Sequence, residues 1–334
     1  MGRICWVDAV KGVAILLVMF THLSEQAYPL LTWLSYGYVP IFFVMIGLTY
    51  HPICNWKAAI IKRSKRLWIP YLFYGVNILI ITSLLSKNVS FAHGLLGLCY
   101  GRYCLYSTGG FELLQGCYYL APLWFLPCLW VTYLLMQWQD SMQSKWILPV
   151  IALAISIATQ YTSILLPFSI DTCFTAFLFM EMGRHLGKIK NIPLSQTVSM
   201  IVLVVCCIAY YIIGAVNGST NMSLGIYGQM IPWSIFFFLI LGITESIGLA
   251  ILFRWIDSTF ICQVFAYIGR EALRLMCIHV LFGSLFYKGL CLTSLPHSLC
   301  LCLAVLGVIG CNAMISLLIN RASHLFGKEL VSNL

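Results

Sequence analysis

Long apolar segments recur along the whole of this 334-residue chain and constrain its fold more than any other feature. A helix that crosses a bilayer needs about 20 mostly apolar residues, and it satisfies its own backbone polar groups. Windows of that length predict an all-α, polytopic transmembrane helical bundle of about ten spans, forming a single membrane domain over residues 1–334. The predicted spans are 9–30, 36–52, 67–86, 117–137, 146–165, 169–187, 196–214, 229–253, 263–286 and 295–319.

The distribution of charge predicts how the chain is oriented in the bilayer. Only 9% of the residues are charged, against about 25% in a typical soluble domain. With the N-terminus inside, only Lys87, Arg102 and Lys288 of the 19 Lys and Arg residues fall outside. Because cytoplasmic loops carry the excess of Lys and Arg, this pattern predicts a multi-pass protein of the cell membrane with both termini in the cytoplasm. The net charge of +9 therefore reflects orientation, and nucleic acid is not an expected partner.

Four ionisable residues form a stripe on the first predicted span: Asp8, Lys11, His22 and Glu25. Each residue rotates a helix by about 100°, so Lys11 and His22 face the same side and lie about 16 Å apart along the axis. Ionisable residues within a membrane usually face a bundle interior and serve a function, and an imidazole beside a carboxylate suits a general base near neutral pH. The pattern favours His22 as the base, with Glu25 in support. The alternative is an interfacial Asp8–Lys11 ion pair beside a hydrogen-bonded packing histidine.

The first span resembles the opening helix of the acyltransferase-3 family of membrane O-acyltransferases, where a basic residue, ten others and a histidine form the hallmark spacing. The resemblance rests on RICWVDAVKGVAILLVMFTHL, with Lys11 and His22 at that spacing. Five further segments resemble the family and occur in the same order: VPIFFVMIGLTY, KRSKRLWIPYLFYG, APLWFLPCLW, PFSIDTCFTAFLFMEMGRHLGK and FAYIGREALRLMCIHVLF. The fourth of these is similar to a helix of the sugar O-acetylase branch. One departure is Ile46, which stands where the second helix of the family has serine in Phe-Phe-x-x-Ser-Gly.

The resemblance implies acetyl-CoA as acyl donor, a carbohydrate hydroxyl as acceptor and no metal. His22 would deprotonate that hydroxyl, and Lys11 or a nearby donor would stabilise developing charge, with Asp8 and Glu25 as supporting residues. A covalent acetyl-His intermediate is a second route. The residues also leave open a transporter of a glycan or small molecule that uses the same buried charges, although the absence of repeat symmetry argues against it.

A basic loop is predicted just before the third span, at Lys62, Arg63, Lys65 and Arg66. Such a loop sets membrane topology and attracts anionic headgroups. Guanidinium groups also suit phosphate, and the family has an Arg-x-x-Arg pair at this place, so the resemblance implies that Arg63 and Arg66 bind the phosphates of acetyl-CoA. The two interpretations are compatible.

Three more polar residues are candidates for substrate contact. His279 lies in an apolar span, where it serves either a structural hydrogen bond or a substrate pocket. Asp171 opens the sixth span, either as part of a helix cap or as a ligand of the acceptor hydroxyl. Asn217 lies in an uncharged loop, 215–228, as a turn former or as a sugar contact.

Overall fold

The computed structural model describes residues 3–24, 28–108, 111, 113, 117–190 and 195–326, and these fold mainly into α-helices. Short 3-10 turns lie at Tyr118–Trp124, Thr159–Tyr161, Pro167–Ser169 and Met222–Leu224. The helices are α1 Cys5–Leu23, α2 Pro29–Leu34, α3 Tyr38–Leu48, α4 Trp56–Leu85, α5 Phe91–Tyr100, α6 Phe125–Ser141, α7 Ile147–Ala158, α8 Ile170–Ile189, α9 Gln196–Asn217, α10 Ser234–Trp255, α11 Phe260–Arg270, α12 Ala272–Cys291 and α13 His297–Phe326.

The helix lengths and composition confirm an all-α, multi-pass membrane protein. Within the described residues, eight helical segments are long and apolar enough to cross a bilayer. Two predicted spans differ from the rest: α7 has only 12 residues, and α8 has 20 residues but carries several charges. A total of ten spans therefore stays a prediction.

Two predicted boundaries are wrong. The first span was expected to reach residue 30, but α1 ends at Leu23, where Ser24 has an extended backbone. The ninth predicted span is divided between α11 and α12, because the chain turns at Glu271. The side chain of Glu271 accepts hydrogen bonds from Asn312, at 3.3 Å, and from Ser316 on α13, so contacts distant in sequence stabilise this turn.

The basic segment before the third span is helical, and its prediction as a loop is wrong. Helix α4 begins at Trp56 and has 30 residues, so it is about 45 Å long. The Asn55 side chain caps it by accepting a hydrogen bond from the Ala58 backbone N–H at 3.0 Å. Arg63 and Arg66 are thus fixed on a rigid helix, one turn apart.

Helix α1 lies inside the bundle, where it packs against α3, α10, α11 and α12. Its crossing with α11 is a direct backbone contact: a Cβ atom at Gly269 would overlap the carbonyl oxygen of Asp8, and one at Gly12 would overlap that of Phe265. Small residues at a crossing allow such close approach between membrane helices. The glycines therefore fix the distance between α11 and α1, which carries Asp8 and Lys11 near one end and His22 near the other.

Candidate active site

One end of α1 borders a cavity of about 460 Å³, here called the basic cavity. Lys11 and Asp8 line it, and their side chains form an ion pair at 3.4 Å. Cationic side chains from four other parts of the chain also reach this cavity, which makes it a favourable place for a polyanion. Those further residues are Arg3, Arg66, Lys190 and Arg270.

The other end of α1 borders a second cavity of about 150 Å³, here called the aromatic cavity. His22 lines it, and the rest of the described lining consists of aromatic, apolar and neutral hydrogen-bonding side chains. Burial raises the pKa of the Tyr103 hydroxyl, which keeps this group a neutral donor. The aromatic members besides His22 are Tyr36, Tyr38, Tyr103, Tyr118, Trp124, Phe125 and Phe238, and the other hydrogen-bonding members are Ser35, Thr220, Asn221 and Ser223.

The two cavities place Lys11 and His22 in different environments. The residues are eleven positions apart on one helix, which corresponds to about 16 Å. The structure therefore does not bring Lys11 within reach of a group that reacts at His22. Asp8 pairs with Lys11, whereas Glu25 lies outside the described residues.

His22 is held by a residue that is distant in sequence. Its Nδ1 atom lies 2.9 Å from the hydroxyl oxygen of Tyr118, which opens the 3-10 turn before α6. If Nδ1 donates its proton to that oxygen, Nε2 carries the free lone pair that a general base requires. In that tautomer, Tyr118 holds the imidazole by the nitrogen that does not react, which is the position an orienting carboxylate occupies in a catalytic triad.

His279 is completely buried beside His22, and the ring centroids are 5.3 Å apart. Its Nδ1 atom lies 3.1 Å from the Leu275 carbonyl oxygen and 3.0 Å from the Met276 carbonyl oxygen. Since carbonyl oxygens only accept hydrogen bonds, Nδ1 carries the proton and Nε2 the lone pair. That Nε2 atom is buried and has no hydrogen-bond partner among the described residues. His279 lines neither cavity.

The two arginines on α4 differ in environment. Arg66 lines the basic cavity. Arg63 is buried away from the lining, and its guanidinium group lies 4.0 Å from the ring centroid of Tyr133 and 5.1 Å from that of Tyr50. Cation–π contacts of this kind stabilise a buried arginine. Because Tyr133 itself lines the basic cavity, Arg63 supports its wall.

Asp171 is engaged in a buried ion pair. Its Oδ1 atom accepts a hydrogen bond from Nη2 of Arg102 at 2.6 Å, and neither residue lines the aromatic cavity. Arg102 also donates to the backbone carbonyl oxygen of Ser223, which does line that cavity. The pair therefore supports one wall of the aromatic cavity from behind.

Asn217 is also buried outside the aromatic cavity. Its side-chain amide N–H donates to the Tyr227 carbonyl oxygen at 2.7 Å, and its backbone carbonyl oxygen accepts from the Gln229 backbone N–H at 2.8 Å. These bonds close the loop between α9 and α10. In that loop, Thr220, Asn221 and Ser223 line the cavity, and Asn217 does not.

A separate group of potential metal ligands lies at the beginning of α1. The ligand atoms of Cys5, Asp257 and Cys262 are within 4.8 Å of one another. Asp257 is exposed, and none of the three lines either cavity. This group is separate from the candidate active site.

The described residues thus form a membrane-protein bundle with a basic cavity, an aromatic cavity and a histidine pair beside the aromatic one. The acyltransferase domain family matches residues 4–315, almost the whole chain. The chain therefore belongs to the acyltransferase-3 family, and this multi-pass membrane protein is an acyltransferase. Comparisons with curated proteins and with solved structures gave no significant match.

Proposed function

We propose that this protein transfers an acetyl group from acetyl-CoA, bound in the basic cavity, to a hydroxyl of a carbohydrate bound in the aromatic cavity. The observation that carries the proposal is that Lys11 and His22 lie on one helix but line different cavities, with the basic residues at one end. The basic end would face the cytoplasm, together with both termini, in the cell membrane. The acceptor would be a cell-surface polysaccharide or a lipid-linked glycan, as in the sugar O-acetylase branch.

The basic cavity suits the phosphate groups of the donor. Arg66, Lys11, Arg3, Lys190 and Arg270 supply cations from different parts of the fold. Arginine binds phosphate through charged, bidentate hydrogen bonds, and lysine binds it as a point charge. Lys11 would act here, because its distance of about 16 Å from His22 along α1 is too long for contact with the reacting carbonyl.

The aromatic cavity suits an uncharged sugar. Four tyrosines and Trp124 offer flat apolar faces, and the loop residues Thr220, Asn221 and Ser223 offer neutral donors and acceptors. A cavity with mainly apolar walls and a few placed polar groups is typical of sites for small organic ligands. Asp171 and Asn217 would contribute by holding the cavity wall from behind.

The chemistry follows from the orientation of the histidines. Nε2 of His22 takes the proton of the acceptor hydroxyl, whose oxygen attacks the thioester carbonyl. The C–O bond forms, the C–S bond breaks, and the proton passes from the imidazolium to the departing CoA thiolate. His279 packs beside the His22 ring, with the ring centroids 5.3 Å apart, and helps to hold that ring in place. In the second route, Nε2 of His22 attacks the thioester first and later gives the acetyl group to the acceptor.

The proposal is tested with purified protein in lipid nanodiscs, labelled acetyl-CoA and a panel of carbohydrates. His22→Ala should lower kcat by about 10²–10⁴-fold, the usual contribution of a general base. His93→Ala is the matched control, because His93 is exposed, lines neither cavity and hydrogen-bonds through its ring to Ser90. Equal label transfer by wild type and His22→Ala would exclude the role of His22. Movement of a glycan across vesicles without thioester turnover would favour a transporter.

A further inference from the structure

Phe125 and Met276 separate the two cavities. Of the described residues, these two line both the basic cavity and the aromatic cavity. At this point, the partition between the two cavities is therefore formed by single side chains, those of Phe125 and Met276. Met276 lies one turn before His279 on α12, and the ring of His279 lies next to that of His22.

The two side chains of the partition differ in freedom of movement. Phe125 is 5% exposed; its ring packs edge-on against Phe42, with ring centroids 5.7 Å apart, and at a tilt against Phe43, with ring centroids 5.0 Å apart. Met276 has an unbranched, flexible thioether side chain, which adapts to irregular spaces. Its backbone is fixed, because its carbonyl oxygen accepts the hydrogen bond from His279. Phe125 is thus held by ring packing on two sides, whereas the Met276 side chain is the more adaptable of the two.

We propose that Phe125 and Met276 set the length of the acyl group that the enzyme transfers. The inference rests on the proposed function, in which a thioester carbonyl must come from the basic cavity to His22. An acyl group on this route passes between the two side chains while CoA stays behind in the basic cavity. A short chain needs only a small displacement of Met276, whereas each further methylene needs space that the packed Phe125 ring does not give.

The experiment compares the kcat/KM values of acetyl-CoA, propionyl-CoA and butyryl-CoA for wild type and Met276→Ala. Wild-type values should fall with acyl length. In Met276→Ala, the ratio of butyryl-CoA to acetyl-CoA should rise by at least about tenfold, since one methylene in an apolar pocket changes discrimination by about 10–200-fold. Met276→Leu conserves apolar volume, so its ratio should stay close to the wild-type ratio.

Leu129→Ala is the matched control, because Leu129 is buried and lines only the basic cavity. It should change the rates with all three donors by the same factor. The inference is overturned if Met276→Ala also changes all three rates equally, or if Leu129→Ala produces the same change of preference. Absence of turnover with every thioester in folded wild-type protein would instead refute the proposed function. If Met276→Ala does not fold, Met276→Val is used with the same criteria.

Discussion

The hydrogen bond between Tyr118 and His22 allows a quantitative prediction for Tyr118→Phe. The substitution keeps the aromatic ring and removes only the hydroxyl that lies 2.9 Å from Nδ1 of His22. When His22 is protonated in the transition state, this bond joins a charged donor to a neutral oxygen, an interaction of about 1.5–3 kcal/mol. That range corresponds to a loss in kcat of about 10–150-fold. Because Tyr118 is 47% exposed, water replaces part of the lost interaction, and we expect a loss of about tenfold.

The assay is the initial rate of label transfer at saturating donor and acceptor, with the KM of the donor measured alongside. Tyr119→Phe is the matched control, since Tyr119 is the next residue in the same 3-10 turn and packs against the apolar core, so its kcat should equal that of wild type. A Tyr118→Phe rate equal to wild type would refute the orienting role of this hydroxyl. A loss as large as that of His22→Ala would also contradict the reasoning, because loss of an orienting group leaves the base in place.

Three further predictions concern residues around the cavities. Arg66→Ala should raise the KM for the donor with little effect on thermal stability, and an unchanged KM in a donor titration would refute its phosphate contact. Arg63→Ala should lower the unfolding temperature in a thermal melt, because it removes a buried side chain that packs against two tyrosine rings. Gly269→Ala should destabilise the protein by about 1–3 kcal/mol, because the added Cβ atom overlaps the backbone at the α1–α11 crossing. Gly289→Ala is the control, since a Cβ atom there meets nothing within 4 Å. Equal unfolding temperatures of the two variants would contradict this packing argument. Asp171→Asn should destabilise the protein by about 3–5 kcal/mol, because it leaves the buried charge of Arg102 uncompensated. A free energy of unfolding in denaturant equal to that of wild type would argue against the ion pair.

Local features of the sequence predict part of this site. The spacing of Lys11 and His22 on one apolar helix is a local property, and the same helix carries both in the structure. The contacts that complete the site are not local: Tyr118 is 96 residues from His22, and His279 reaches it from the twelfth helix. A single sequence has no signal for such pairs, since each residue alone is compatible with simple packing.

The helix boundaries that were predicted wrongly have a similar cause. Hydropathy depends on composition and does not detect the turn at Glu271, which long-range hydrogen bonds to Asn312 and Ser316 stabilise. Asp171 is comparable, because its partner Arg102 is 69 residues away in a loop. An aspartate at the beginning of a helix can cap that helix or form an ion pair, and the local sequence does not distinguish the two roles.

The glycine crossing connects the packing of α1 to the chemistry at its far end. Gly269 contacts the backbone of Asp8, and His22 lies fourteen residues further along the same helix, about 21 Å away. An α-helix within a close-packed bundle moves as a rigid element, so a Cβ atom that pushes α1 away from α11 also shifts His22 relative to Tyr118 and His279. A displacement of about 1 Å between reacting groups is sufficient to reduce a rate by about 10²-fold. We therefore expect Gly269→Ala to lose more activity than folded protein, because the displaced α1 would carry His22 away from Tyr118 and His279. Equal losses of activity and of folded protein would contradict this coupling.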